Sequence, residues 1–161
     1  MTTAPRTAKM VSFRLGGDHF AADIFAVERV LRYQPPTVVP NLPEWIEGVT
    51  EYQGRVLPVI NLRRRFRLSP AEPTSETRIL VLKSGVEWVG VVVDAVLEVV
   101  TFDEALLAPP PALFRGLAGE YLRGIVRRGE RLLMFLDMGR LLSSDEQLTL
   151  ERVSEEALPR G

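Results

Sequence analysis

With 161 residues, 46% of them hydrophobic, the chain can bury a real core in one compact unit or two small ones, and it is not a disordered tail. Its 20 Lys and Arg nearly balance 21 Asp and Glu, so the net charge of −1 excludes a global field toward nucleic acid or an anionic membrane and leaves any basic patch local. The absence of cysteine excludes disulfides, thiolate catalysis and cysteine metal sites, and fits a reducing compartment.

Residues 1–9 are small and polar and are expected to be flexible. The opening MTTAPRTAKM has no apolar stretch that a signal peptidase could read, and no run approaches the roughly 20 apolar residues of a membrane helix. A cytoplasmic location without membrane insertion is therefore expected. The segment MVSFRLGGDHFAADI alternates apolar and polar residues around Gly16-Gly17-Asp18, which predicts a hairpin with strands over 10–15 and 19–23. From Ile24, the spacing of Ile24, Val27, Val30 and Leu31 changes to a helical period and predicts one or two helical turns. Val38 and Val39, fenced by Pro35, Pro36, Pro40 and Pro43, leave room for a short strand only. Ile46 to Gln53 and Arg55 to Ile60 form the arms of a second hairpin around Gly54. Pro58 lacks a backbone donor, so its arm is expected at a sheet edge or a bend.

Past Phe66, LSPAEPTSE reads as a linker or exposed loop. ILVLKSGVEWVGVVVDAVLEVV then predicts a hairpin turning at Ser84-Gly85, with strands β-branched enough to be buried on more than one side. After a loop holding Pro109, Pro110 and Pro111, EYLRGIVRRGERLLMFLDMGRLL predicts a further hairpin with a helical tail. Ser143 stands three residues before Glu146, a capping-box spacing, so a C-terminal helix is expected over 143–158, ahead of Pro159.

The chain repeats itself. WIEGVTEYQGRVLPVINLRRRF at 45–66 aligns with YLRGIVRRGERLLMFLDMGRLL at 121–142, so that Gly48 matches Gly124, Gly54 matches Gly129 with one residue deleted, and Asn61 matches Asp137. ADIFAV at 22–27 echoes VDAVLE at 93–98. A unit of roughly 70 to 75 residues used twice, built of short strands, predicts an all-β fold with short helices, in two small barrels with a cleft between them.

Groups suited to catalysis are few. His19 is the single histidine and sits beside a turn, which suits a surface residue better than a base or ligand. Asp23, Asp94 and Asp137 end apolar strands, where a carboxylate commonly caps the next turn. No nucleophile has a recognisable paired base, and no phosphate-loop, dinucleotide or zinc spacing occurs, so neither an enzyme nor a cofactor site is expected. GLAG at 116–119 lacks the strand-then-helix setting of a phosphate loop. Arg63, Arg64, Arg65 and Arg67 form the one basic run that supports an alternative reading, an RNA-binding double β-barrel. Such a cluster more commonly forms a solvated face, and nucleic acid is not an expected partner.

The order Val39-Pro40, Pro43, Ile46, Gly48-Val49, Gly54, Val56, Pro58-Val59-Ile60 and Leu62, with FRLGGDHFAADIFAV before it and ILVLKSGVEWVGVVVDAV and YLRGIVRRGERLLMFLDMGRLL after, resembles the CheW-like domain family over residues 10–142. The resemblance implies two five-stranded SH3-like barrels, a first over about 10–68 and a second over about 77–142. It also implies a cytoplasmic adaptor without catalysis that couples a CheA-type histidine kinase to the helical tip of chemoreceptors. With no kinase or receiver region attached, the chain looks like the stand-alone adaptors of the family.

Carried over singly, Val27, Ile46, Gly48 and Val49 match apolar family positions of the receptor-binding groove. Arg29, Glu51 and Gln53 match positions that usually hold an acidic residue, an asparagine and an arginine. Asn61 stands where an aspartate is usual. These departures suggest a relocated charge, with Arg29 on the short helix facing Glu51, and keep open a divergent paralogue serving a non-chemotactic kinase pathway. Arg64, Phe66, Met138 and Leu141 occupy corresponding places in the two repeats and are the candidate kinase contacts.

Overall fold

The alternation around Gly16-Gly17 yields the predicted hairpin, with β1 (Thr7–Leu15) antiparallel to β2 (Asp18–Asp23). The structure, a computed structural model, describes residues 7–84, 87–109 and 121–137. The helical spacing after it forms only a short 3-10 turn, Ile24–Ala26, which the Asp23 carboxylate caps by accepting from the Phe25 N–H at 2.9 Å. Val27, Val30 and Leu31 instead lie on β3 (Val27–Arg32). A register shift between Val27 and Arg29 interrupts the two-residue alternation there, which is why the apolar spacing imitates a helix. Thr37 makes a single bridge to Val49 in place of a strand over Val38 and Val39.

The second hairpin follows the sequence closely: β4 (Ile46–Tyr52) and β5 (Arg55–Asn61) join through Gln53 and Gly54, with φ of 49° and 74°. Both central residues are left-handed, the signature of the two-residue turn whose twist matches the strands. A single helical turn, α1 (Leu62–Arg65), follows and is capped by Asn61 Oδ1, which accepts from the Arg64 N–H at 3.1 Å. The stretch read as one hairpin after the linker holds three strands: β6 (Arg78–Ser84), β7 (Glu87–Val93) and β8 (Ala95–Asp103). Last come β9 (Leu122–Arg128) and β10 (Arg131–Leu136). The expected helix over 143–158 and the helical tail before it lie outside the described residues.

The strands form two five-stranded sheets, sheet A in the order β8-β1-β2-β10-β9 and sheet B in the order β3-β6-β7-β5-β4. Advancing each strand by half the set converts one order into the other, so the sequence repeat is a structural one. Each sheet combines the first two strands of one repeat with the last three of the other. The expected division at about 68–77 therefore does not separate the sheets: the chain leaves sheet A at Asp23 and returns to it at Asp94. Sequence proximity suggested contiguous units, but β1 pairs with β8 and β3 with β6 across the repeats.

Closed SH3-like barrels do not appear in the strand pairing of the described residues. Each sheet nevertheless bends until its two edge strands come within side-chain reach. In sheet B, the Arg29 guanidinium of β3 lies 5.8 Å from the ring centre of Tyr52 on β4. In sheet A, Arg128 of β9 pairs with Glu98 of β8 at 3.1 Å.

Pro58 lies on an inner strand, between β7 and β4, and not at an edge. Tyr52 and Arg55 flank the two-residue turn as a hydrogen-bonded pair, so alternation makes Val49 and Pro58 a pair without mutual bonds. The parallel ladder to β7 begins one residue later, at Val59 opposite Gly90. The missing donor thus falls where no ladder bond is due.

One large core joins the facing sides of the two sheets, with Phe13, Phe20 and Leu136 from sheet A against Ile60, Leu80 and Val91 from sheet B. A small core lies on the other face of each sheet, around Met10, Ala21 and Phe135 in sheet A and around Tyr52, Leu57 and Val81 in sheet B. The strand period explains this: Leu80 and Leu82 enter the shared core while Val81 between them enters the second.

Candidate functional site

The predicted groove positions divide by burial. Ile46, Gly48 and Val49 are buried, whereas Arg29, Glu51 and Gln53 are exposed and Val27 is half-buried. The first three therefore pack within the sheet and shape the strand. Gly48 does so by close approach, since a Cβ there would run into the Thr37 carbonyl, where Thr37 and Val49 exchange backbone hydrogen bonds of 2.8 and 2.9 Å. Gly124 holds the corresponding place in sheet A, beside the Ala108 and Ile125 pair.

Arg29 lies on strand β3, not on the short helix, and among the described residues it makes no ion pair with Glu51. It covers the Tyr52 ring instead. Tyr52 in turn packs on Trp88, with ring centres 5.2 Å apart, and the Arg55 guanidinium sits 4.7 Å above Trp88. The result is a continuous array, Arg29, Tyr52, Trp88 and Arg55, across one face of sheet B. Sequence reading missed Tyr52, Arg55 and Trp88. The two-residue turn does place Tyr52 opposite Arg55, but Trp88 joins them only through the parallel pairing of β5 with β7.

Of the candidate kinase contacts, Arg64 is exposed and its Nη1 donates to the Glu44 carbonyl at 3.2 Å. Phe66 is buried, between Phe20 at 6.0 Å and Tyr121 at 5.8 Å, so it belongs to the core. Met138 and Leu141 lie outside the described residues. Two neighbouring arginines, Arg63 and Arg65, are engaged internally. Arg63 grips Asp94 and the Ser69 carbonyl, while Arg65 lies between the rings of Trp45 and Tyr121, 5.0 and 5.3 Å from their centres. Two arginines of the run, Arg63 and Arg65, are thereby engaged by the fold, while Arg64 and Arg67 stay exposed.

A cleft of about 590 Å³ opens beside this run, lined by Tyr33, Glu47, Asn61, Arg63, Arg64 and Asp94 among others. The Tyr33 hydroxyl donates to Glu47 Oε1 at 2.9 Å. Burial, together with that carboxylate, pushes the Tyr33 phenol up to about 12. For Asp94, burial favours the neutral acid, but hydrogen bonds from Arg63 and the Gly16 N–H outweigh it and hold the carboxyl below its ordinary range. This role differs from the strand-end cap expected of Asp94. Asp137, the third predicted cap, donates its N–H to the Tyr121 carbonyl at 2.8 Å.

The groups closest to acid–base chemistry are otherwise engaged. His19 lies half-buried on β2, and its Nε2 accepts from Arg131 Nη1 at 2.6 Å. Burial and then the charge of Arg131 hold its pKa below the ordinary value, so the ring stays neutral at pH 7. Ser12, the buried hydroxyl of β1, donates to the Glu98 carbonyl at 2.8 Å and accepts from the Glu98 N–H at 3.1 Å. No cluster of His, Cys, Asp or Glu among the described residues could hold a metal ion, and no helix among them is long and apolar enough to cross a membrane.

The exposed edge of sheet B carries Arg29 held against Tyr52, and comparison with known proteins gives the family of the chain. Residues 9–146 match the CheW-like domain. The chain is similar to the chemotaxis protein CheW of Klebsiella aerogenes, 35% identical over 143 residues, which cover 89% of this chain and 86% of that protein. It is also similar to the chemotaxis protein CheW of Bacillus subtilis, 32% identical over 90% of this chain and 94% of that one. Among solved structures, the scaffolding protein TtCheW from Thermoanaerobacter tengcongensis superposes with a TM-score of 0.79 at 29% identity, covering 89% of this chain and 96% of its own. The doubled sheets, the glycine contacts shared by the two repeats and these matches together place the chain in the CheW-like domain family.

Proposed function

We propose that this protein is an adaptor that holds a CheA-type histidine kinase against the cytoplasmic helical tip of a chemoreceptor, acting in the cytoplasm through contacts and not through bond-making. The observation that carries the reading is the family match over residues 9–146, with relatives named chemotaxis proteins and a solved relative named a scaffolding protein. Receptor motion would then alter kinase activity by shifting the population of kinase conformers. Roughly 800 Å² of contact per partner is ordinary for such binding, and weaker contacts suffice in an array through multivalency.

On this reading the receptor meets the exposed edge of sheet B at Val27, Arg29, Glu51 and Gln53, with Val30 beside them at 41% exposure. The kinase meets the surface around Arg64, and Met138 and Leu141, outside the described residues, stay candidate contacts by their place in the second repeat. Co-sedimentation of the chain with receptor tips and kinase tests the reading. Recovery of all three in one pellet is expected, and a chain that stays in the supernatant with both partners present contradicts it.

A second reading, a paralogue serving a non-chemotactic kinase pathway, is favoured by one observation. Arg29, at a position where the family resemblance implies an acidic residue, is braced on Tyr52. Pull-down against the CheA-like kinases of the same genome separates the two readings.

A further inference from the structure

We propose that the face of sheet B formed by Arg29, Tyr52, Trp88, Arg55 and Lys83 docks an acidic segment of a partner protein, whose carboxylates engage the exposed cations. The inference rests on the adaptor reading and adds the chemistry of the partner. It follows from where strand alternation sends the side chains. Arg29 pairs with Val81, Tyr52 with Arg55, and Lys83 with Trp88, and Tyr52, Val81 and Trp88 meet in one small core. All five residues therefore share a face. Glu51 alternates with Tyr52 and belongs to the opposite one.

Arg29, Arg55 and Lys83 are exposed, and among the described residues none of them is in an ion pair. Three cations on one face with no ion-pair partner among the described residues form a local positive patch in a chain of net charge −1, to which an anionic segment is complementary. Two of them are also restrained. Arg29 lies 5.8 Å from the centre of the Tyr52 ring and Arg55 lies 4.7 Å from that of Trp88. Holding a guanidinium against an aromatic face lowers the side-chain freedom lost when it binds a carboxylate, and leaves its edge donors free for a two-pronged contact.

A nucleic acid is the less fitting occupant. Single-stranded binding relies on open aromatic faces for base stacking, but Tyr52 is 6% exposed and the face of Trp88 is covered by Arg55. The array offers charge without a stacking platform. A polypeptide with carboxylates along one side uses it fully.

The test titrates the full-length chain with a fluorescein-labelled amphipathic peptide carrying Glu along one face and Leu along the other, and with its Glu→Gln counterpart. Anisotropy reports affinity and the Trp88 indole resonance reports place. The Glu peptide is expected to bind with a shifted Trp88 signal, to weaken as salt rises from about 50 to about 300 mM, and to exceed the Gln peptide about tenfold. Arg29→Gln combined with Arg55→Gln is expected to lower affinity about tenfold, and the paired Lys variants are expected to restore part of it. Lys83→Gln, at an exposed position, gives the same direction should the double variant fail to fold. Arg127→Gln with Arg128→Gln, on sheet A, leaves binding unchanged.

Equal affinity for the Glu and Gln peptides, indifference to the sheet B variants, or displacement of the peptide by tighter-binding oligouridylate each overturns the proposal. Co-sedimentation with receptor tips and kinase that survives the sheet B variants removes this inference and leaves the adaptor reading standing. Peptide binding by a chain that fails to co-sediment does the reverse.

Discussion

Arg63 holds Asp94 through two hydrogen bonds, Nη2 to Oδ2 at 2.5 Å and Nε to Oδ1 at 3.0 Å, at the point where the chain passes from sheet B to sheet A. Asp94 Oδ2 also accepts from the Gly16 N–H at 2.8 Å, in the turn of the first hairpin. One carboxylate thus ties α1, the β7 to β8 switch and the β1–β2 turn together. Both side chains are about one-fifth exposed, so solvent screens the pair only in part. Arg63→Met is expected to cost about 1–3 kcal/mol in urea unfolding at pH 7, because it leaves a partly buried carboxylate without its charged donor.

The same pair sets a pH dependence. The folded state holds the Asp94 carboxyl below its ordinary value, so its contribution is complete above the unfolded value of about 3.9 and is lost as pH falls through the lower folded one. Wild type is expected to exceed Asp94→Asn in stability at pH 7, with the gap closing in strong acid. Urea midpoints at both pH values check this, and a gap that widens in acid contradicts it.

Gly48 has no room for a side chain, because a Cβ would strike the backbone carbonyl of Thr37, which cannot move aside without breaking the bridge to Val49. Gly48→Ala is expected to destabilise by roughly 2–3 kcal/mol. Gly17→Ala, where nothing lies within 4 Å of the added carbon, is expected to be nearly neutral. Thermal melts of the two variants separate a packing requirement from a general need for glycine in hairpins.

Tyr33 supplies an alkaline counterpart. Burial and the adjacent Glu47 raise its phenol to about 12, so its share of stability is present below the unfolded value of about 10 and is lost as pH rises through the folded one. Absorbance titration near the phenolate band should show a late tyrosine that is absent in Tyr33→Phe and shifted to lower pH in Glu47→Gln.

The Tyr52 hydroxyl is buried and, among the described residues, has no hydrogen-bond partner. Tyr52→Phe keeps the ring under Arg29 and against Trp88 while removing an unsatisfied polar atom. It is expected to leave stability unchanged or raise it by up to about 1 kcal/mol, read as the urea midpoint. A clear loss would reveal a partner for that oxygen.

The local parts of this fold are legible in the sequence because their causes are local. Gln53-Gly54 dictates a tight turn, and the match of Trp45 with Tyr121 and of Asn61 with Asp137 reappears as two equivalent backbone bonds, Asn61 N–H to Trp45 O and Asp137 N–H to Tyr121 O. The exchange of strands between repeats is not legible, since β1 against β8 and β3 against β6 are pairings between distant segments with no local signature. The register shift at Val27 and Arg29 likewise disguises a strand as a helix.

The candidate site was legible only in part, for the same reason. Arg29, Glu51 and Gln53 stand out as departures from a family pattern, and they do reach the surface. That Arg29 meets Tyr52 and not Glu51 depends on the bending of sheet B, which brings its edge strands together. Phe66 was read as a contact because it holds a corresponding place in the two repeats, yet its ring fills the shared core.

The central claim is that this chain couples kinase to receptor by binding both. Kinase turnover measured with receptor tips in membranes, with and without the chain, tests it most directly. The account predicts that phosphoryl transfer becomes receptor-dependent only when the chain is present, and that the response falls when Arg29 and Arg55 are both replaced by Gln. Receptor control of the kinase that is identical in its absence would contradict the account.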